Sequence, residues 1–347
     1  MATKARIAVL GASGYTGAET IRLAATHPHL EIRHLTADRH AGKPVGEVFD
    51  HLADRGLPDL IKIEDVPFDA VDAVCCCLPH ATTQEVVAAL PDHLKIVDLS
   101  ADFRLKDTAQ YQQTYGRPHG APDLQKEAVY GLTEQARGEV RSARLVANPG
   151  CHPSGPLLAL MPLLAAQAVD PNFVVIDSKT GVSGAGRSVK ENLLFTEVQE
   201  GLNAYAVGTH RHIPEIEQGL YAAAGEAVRV SFTPCLVPMN RGILATIYVR
   251  LGAGADRGTL EQVLREAYVG EPFVRIRPAS RPPSTREVKG TNRCLISVHD
   301  DYHAGHAIIV TAIDNLVKGA AGQALQNLNV MLGFAETAGL EASALFP

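Results

Sequence analysis

The chain predicts an α/β protein in which an N-terminal Rossmann-type, doubly wound parallel sheet precedes a second α+β domain with a mainly antiparallel sheet. Three observations carry this reading. Short apolar strands alternate with helical stretches through the first part of the chain. A glycine-rich turn, Gly11-Ala12-Ser13-Gly14-Tyr15-Thr16-Gly17, follows the first strand and opens a helix. After residue 150 the strands follow one another with fewer helices between them.

Each element has its own signal. Residues 6–10 form a short apolar run, and residues 18–25 carry apolar positions at helical spacing. Residues 31–36, 71–78 and 95–99 read as the next strands, and residues 144–147 form one more that leads to Cys151. Strands alternating with helices give a parallel sheet covered on both faces. Residues 173–178, 228–232, 243–251, 274–277, 294–299 and 307–313 supply the strands of the second sheet. Residues 157–164 make an apolar helix, and residues 315–332 read as a closing amphipathic helix.

Composition excludes several classes. The 347 residues suggest about two domains. With 46% hydrophobic and 20% charged residues the chain reads as an ordinary soluble globular protein. A net charge of -6 argues against nucleic acid as a main partner. No apolar run reaches the roughly 20 residues that span a bilayer. The N-terminus runs straight into a strand, so no signal peptide is expected and the location reads as cytoplasmic. Consecutive Cys75, Cys76 and Cys77 alternate between strand faces, so they read as small core residues of a reducing compartment rather than as a disulfide framework.

The most telling stretch is Asn148-Pro149-Gly150-Cys151-His152-Pro153-Ser154-Gly155, where a loop gives way to a helix. Pro149 and Gly150 make the turn; Pro153 and Pro156 fit near a helix start, where missing N–H groups cost little. A thiol placed there faces unpaired N–H groups and the positive end of the helix dipole, which favours the thiolate. Cys151 is therefore the candidate nucleophile. His210-Arg211-His212-Ile213-Pro214-Glu215 places two imidazoles two residues apart with a carboxylate three residues beyond the second. Imidazole is the usual partner of a catalytic thiol, and a carboxylate commonly orients it. A zinc reading pairs His210 and His212 with His303 or His306, but no second cluster has metal spacing, and no metal is expected.

The loop from Gly11 to Gly17 has the form of a dinucleotide loop. Gly11 makes the turn, Gly14 lets backbone approach a pyrophosphate, and Gly17 permits close helix–strand packing, with Ser13, Tyr15 and Thr16 completing the contact surface. The second strand ends in Thr36-Ala37-Asp38-Arg39, an uncharged hydroxyl followed by a cation, which suits a 2′-phosphate and favours NADP(H). Arg104 follows the strand 95–99 and could grip a phosphate through two parallel hydrogen bonds. The glycine-rich segment from Asp177 to Arg187 offers backbone donors and two cations, Lys179 and Arg187, to an anion.

Taken in order, Gly11–Gly17, Leu78-Pro79-His80, Asp98-Leu99-Ser100-Ala101-Asp102-Phe103-Arg104, Asn148–Cys151, the Lys179–Arg187 loop and His210–Glu215 resemble the N-acetyl-γ-glutamyl-phosphate reductases of arginine biosynthesis, within the aspartate-semialdehyde dehydrogenase superfamily. The resemblance covers essentially the whole chain. It departs at His152 and Ser154, where the family more often has tyrosine and threonine. It implies NADPH-dependent reduction of an acyl phosphate through a cysteine thioester, with His212 as acid/base, His210 second to it, and Glu215 orienting one of them. It further implies cofactor contacts at Ser183, Gly184 and Asn315, and substrate or phosphate contacts at Arg104, Asn148, Lys179 and Arg187. The terminal helix is expected to return to the first domain, giving a dinucleotide-binding domain of residues 1–149 and 315–347 and a catalytic and dimerisation domain of 150–314. A homodimer or homotetramer acting on a small molecule is expected. Rival readings are an aspartate-semialdehyde dehydrogenase, an aminoadipyl-phosphate reductase, a non-catalytic NADP-binding redox sensor, and a cysteine hydrolase.

Overall fold

The computed structural model describes residues 4–345. The ends of the expected domain ranges, 1–3 and 346–347, lie outside the described residues. Two compact units are found. One runs to Pro149 and resumes over Ala320–Ala342; the other is Gly150–Gly319 with the tail from Ser343.

The first unit is built on seven strands: β1 (Ala5–Leu10), β2 (Leu30–Thr36), β3 (Leu60–Ile61), β4 (Ala73–Cys76), β5 (Lys95–Asp98), β6 (Val129–Tyr130) and β7 (Leu145–Ala147). They lie in the order β3-β2-β1-β4-β5-β7-β6, and every neighbouring pair is parallel. β1 is an interior strand, and its residues Ile7 to Leu10 are fully buried. A continuous apolar strand of this kind belongs in a sheet covered on both faces. The chain order reverses between β1 and β4, and the crevice beyond the carboxyl ends of such strands is where this architecture takes ligands. The helix Tyr15–Ala24 leaves β1 through the glycine loop. Cys75, Cys76 and Cys77 are buried and free, as small core residues would be.

The second unit holds β8 (Val169–Gly181), β9 (Asn203–Ala204), β10 (Val230–Val237), β11 (Ile243–Leu251), β12 (Val274–Arg277), β13 (Cys294–Asp300) and β14 (His306–Ile313), ordered β12-β13-β14-β11-β8-β10-β9. The pairs β11–β14, β11–β8, β13–β14 and β10–β9 are antiparallel, while β10–β8 and β12–β13 are parallel. β8 begins earlier than residue 173. The Asp170-Pro171-Asn172 segment reads locally as a turn, but a register shift between Val249 and Leu251 lets Val169 still pair with Leu251.

Two expectations about the C-terminal stretch need correction. Residues 315–332 are not one helix: Val317–Ala321 is a π turn, and the α-helix is Gly322–Met331. The return to the first unit also comes at Ala320, not at residue 315. The cause of that boundary is bonding to residues distant in sequence. Buried Asn315 donates to Ser183 Oγ at 2.9 Å and accepts the Gly242 N–H at 2.7 Å, and both partners belong to the second unit. Residues 343–345 are likewise grouped with the second unit, where the Leu345 N–H donates to the Lys289 carbonyl.

The helix Cys151–Ala165 is apolar on nearly every face and carries Pro156 and Pro162 inside it. Pro162 has no N–H for the Leu158 carbonyl, and the buried Tyr268 hydroxyl donates to that carbonyl instead. Tyr268→Phe leaves this oxygen buried without a donor. It is expected to lower unfolding free energy by about 1–3 kcal/mol in a urea melt, whereas an unchanged midpoint would show that the bond contributes nothing.

Candidate active site

In the first unit the glycine loop is shaped as a dinucleotide loop requires. A Cβ at Gly11 would lie 2.5 Å from the Cys77 carbonyl oxygen and one at Gly17 2.4 Å from the Gly11 carbonyl oxygen, so only glycine fits at either position. At Gly14 the nearest atom would be 3.7 Å away, which leaves room for a ligand to approach the backbone. Gly14 is the N-cap of Tyr15–Ala24 with no side-chain cap, so the first-turn N–H groups of that helix suit a pyrophosphate. Tyr15 is exposed at this turn, and Ser13 and Thr16 are half-buried.

Thr36 is 3% exposed. Its hydroxyl is turned inward and accepts the Gly11 N–H at 3.2 Å, while its carbonyl accepts the Ala12 N–H. It braces the loop, and the 2′-phosphate reading falls to the exposed Arg39.

Two expected substrate contacts are also engaged within the first unit. Arg104 is 5% exposed; its Nε donates to the Asn148 carbonyl at 2.8 Å and its Nη2 to the Leu99 carbonyl at 2.9 Å. It ties together the ends of β5 and β7. Asn148 donates to the Ala320 carbonyl at 3.1 Å and accepts from Asn327 Nδ2 at 3.2 Å. Asn327 in turn donates to the Gly131 carbonyl and accepts from Thr133.

In the second unit Cys151 is half-buried and is the first residue of Cys151–Ala165. Gly150 is the N-cap and has no side-chain cap; its N–H donates to Oε1 of buried Glu215 at 2.7 Å. The other oxygen of Glu215 lies 4.0 Å from His212 Nε2. His212 is itself the N-cap of the helix Ile213–Ala224, with Glu215 in its first turn. One carboxylate therefore engages both the start of the cysteine helix and an imidazole. The His212 N–H donates to His210 Nδ1 at 3.1 Å, which makes Nδ1 the acceptor and leaves the neutral ring's proton on Nε2. Burial, and then Arg211, push the His210 pKa down to about 4. A ring held neutral in this way suits hydrogen bonding better than proton exchange near neutrality.

His152 lies at the centre of this group, and the sequence gives it no role beyond that of a neighbour. Its Nδ1 is 2.8 Å from Ser178 Oγ and its Nε2 is 2.9 Å from Tyr205 Oη. His210 and His212 pack edge-on against its ring at 5.4 and 5.7 Å, with Phe232 also at 5.4 Å. Burial, and then His210, push its pKa down to about 3. Tyr205, Ser178 and Gly319 have no distinct sequence signal. A Cβ on Gly319 would stand 2.9 Å from Cys151 Cβ, so the π turn lies directly against the Cys151 side chain.

Ser183, Gly184 and Asn315 do come together: Asn315 bonds Ser183, and a Cβ on Gly184 would touch Asn315 at 3.8 Å. Lys179 does not join the cysteine cluster. Successive strand residues face opposite sides, and Ser178 meets His152, so Lys179 is on the other face, where it pairs with Asp177 at 2.5 Å. Arg187 is exposed just beyond Gly186. Among the described residues no group of three or more His, Cys, Asp or Glu side chains is arranged to hold a metal.

The neutral His152 has a consequence for stability. Its folded pKa is depressed below the usual 6.5, so the unfolded chain takes up the proton first as pH falls. The stabilisation is full above about 6.5 and drains away as pH falls towards about 3. The melting temperature is expected to fall more steeply between neutral and acid pH in the parent protein than in His152→Phe, and equal slopes would refute the buried neutral state.

Comparison with known proteins agrees with this architecture. Residues 6–143 match the model of the semialdehyde dehydrogenase NAD binding domain, and residues 151–315 match that of the semialdehyde dehydrogenase dimerisation domain. N-acetyl-gamma-glutamyl-phosphate reductase of Rhodospirillum rubrum is 54% identical over 352 residues, covering 100% of both chains. A relative of the same name from Ruegeria pomeroyi is 54% identical over 343 residues, covering 99% of each. Among solved structures, aspartate semialdehyde dehydrogenase II from Vibrio cholerae superposes with a TM-score of 0.72 at 17% identity, covering 95% of this chain and 99% of the other, which establishes a common fold. The identity and full-length coverage place the chain in the N-acetyl-γ-glutamyl-phosphate reductase family, oxidoreductases with the semialdehyde dehydrogenase fold.

Proposed function

We propose that this chain reduces N-acetyl-L-glutamyl 5-phosphate with NADPH to N-acetyl-L-glutamate 5-semialdehyde and phosphate, as a step of arginine biosynthesis. The observation that carries the mechanism is Cys151 at an N-terminus capped through Glu215, with His212 on the same carboxylate. Full-length similarity to reductases of that name supports the substrate.

The Cys151 thiolate, favoured by the helix start, attacks the acyl carbon; the bond to the phosphate oxygen breaks and a thioester forms. NADPH, when bound, supplies a hydride to the thioester carbonyl carbon. His212, oriented by Glu215, accepts the thiol proton before attack and controls proton transfer as the thiohemiacetal oxygen re-forms a carbonyl and the C–S bond breaks. The N–H groups at the start of Cys151–Ala165 are placed to stabilise the oxyanion. In the first unit the Gly11–Gly17 backbone holds the pyrophosphate, and Arg39 provides the charge for a 2′-phosphate. Arg104 and Asn148 act by fixing the strand ends rather than by gripping substrate, while Ser183, Gly184 and Asn315 form one bonded group offered to the cofactor.

The protein is read as cytoplasmic and as a homodimer or homotetramer. Support for assembly comes from the dimerisation-domain match and from the apolar, half-buried Val175, Leu244 and Ile308 on one face of the second sheet. Among the described residues no helix is long and apolar enough to cross a membrane.

Cys151→Ala is expected to abolish acyl-phosphate-dependent NADPH oxidation while leaving the melting temperature close to that of the parent. His212→Asn should lower kcat about 100- to 10,000-fold, with a smaller loss for His210→Asn. Substantial turnover by Cys151→Ala would end the thioester mechanism.

Cofactor choice is a separate expectation. A charge-assisted contact to the 2′-phosphate should make NADPH more efficient than NADH by about tenfold or more. Arg39→Ala should narrow that gap, and equal kcat/KM for the two cofactors in the parent would remove the 2′-phosphate reading.

A further inference from the structure

We propose that His152 is the positioning residue for His212: hydrogen-bonded on both sides, its ring is the fixed wall on which the segment carrying His210 and His212 docks beside the start of the cysteine helix. The inference rests on the reading above in which Cys151 is the nucleophile and His212 the acid/base.

The segment is irregular and is held chiefly by the side chains it turns inward. It leaves the sheet after β9, where the Tyr205 N–H donates to the Pro234 carbonyl, and enters its helix where the Ile213 N–H donates to the His210 carbonyl. Between these points the chain passes through Ala206 and Gly208 with positive φ, 44° and 68°. Ala206 carries a Cβ, so that conformation persists only where the surroundings impose it. Ala206, Val207, Gly208, Thr209 and Arg211 are exposed, whereas Tyr205, His210 and His212 are half-buried. All three of these meet His152. Tyr205 Oη is 2.9 Å from its Nε2, and the His210 and His212 rings stand edge-on to it at 5.4 and 5.7 Å. His210 packs in turn on His212 at 4.8 Å and on Tyr205 at 5.5 Å.

The His152 ring is itself fixed to the body of the unit. It belongs to the second residue of Cys151–Ala165, is 2% exposed, and has its Nδ1 2.8 Å from Ser178 Oγ on β8. Each hydroxyl can donate or accept, so both bonds are made whichever nitrogen of the neutral ring carries the proton. One side chain therefore joins the cysteine helix, the sheet and the histidine segment. Burial keeps the His152 and His210 rings neutral, with pKa values pushed down to about 3 and about 4, so neither sets an imidazolium against His212. The tyrosine more usual at position 152 has one polar side-chain atom where imidazole has two.

A double-mutant cycle on kcat tests the inference, because residues that act through one another do not multiply their effects. His152→Phe keeps a ring and loses both bonds. It is expected to lower kcat about 10- to 100-fold in the parent, the scale of a catalytic group displaced by about 1 Å. In His212→Asn, where the group it positions is gone, the same substitution should cost less than about twofold. Tyr205→Phe removes one oxygen and leaves every ring in place. It should show the same pattern with a smaller loss, and it carries the test if His152→Phe melts too low to assay. An unchanged kcat in either variant, or equal fold losses in the two backgrounds, overturns the proposal, since a general structural effect would cost the same with or without His212. If His212→Asn alone kept the parental kcat, the acid/base reading would fall first and this inference with it, an outcome visible before any second substitution is made.

Discussion

The second unit is organised around one buried carboxylate. Glu215, 1% exposed, accepts the N–H of Gly150 with one oxygen and lies against His212 with the other. A carboxylate at a helix start is favoured by the dipole, and Glu215 is near two such ends: the first turn of its own helix and the N-cap of the cysteine helix. Burying a lone charge is costly unless it is hydrogen-bonded. That penalty makes the arrangement all-or-none, so the cysteine turn, the carboxylate and the imidazole are fixed together. Flexible surface side chains could not hold three groups in such a relation without losing the entropy of each.

The first unit is organised differently, through ties between backbone and buried side chains at the strand ends. Arg104, Asn148 and Thr36 were all expected to contact ligand, and each is largely engaged with carbonyls or N–H groups of the protein. A parallel sheet exposes unpaired carbonyls where its strands stop, and at a ligand crevice those groups cannot all be left to water. Residues with ligand-like chemistry therefore appear at such positions for a structural reason. What these ties hold in place includes the uncapped N–H groups at the start of the helix Tyr15–Ala24.

Much of this was legible in the sequence. The strand–glycine–helix opening, the cysteine at a helix start and the His-x-His segment are local patterns whose spacing has one economical explanation. The boundaries that failed are those set by distant partners. β8 extends back to Val169 through its pairing with Leu251, across a bulge no local rule predicts. Asn315 stays with the second unit because of hydrogen bonds to Ser183 and Gly242, which are distant in sequence. The face of Lys179 became clear only once Ser178 was seen to meet His152. Tyr205 and Ser178 carry no motif; only the departure at His152 marked the spot.

The closing stretch explains why a helical pattern was misleading there. Residues 317–331 have apolar spacing suited to an α-helix, yet the first turn is widened, with the Gly319 N–H bonded to the Asp314 carbonyl five residues back. Asp314 fixes this geometry from inside: its buried carboxylate accepts N–H groups from Gly290, Leu316 and Val317. The widened turn brings Gly319 against the Cys151 side chain at a separation no other residue could occupy, and it carries Lys318 into the interior beside the Phe273 ring. Local helix propensity gives no reason for a glycine here, since glycine is a poor helix former and is the residue a regular helix would least need. The glycine is needed because the constraint is steric and lies across the fold: the wall behind the Cys151 side chain must be backbone, and a π turn anchored by a buried aspartate supplies it.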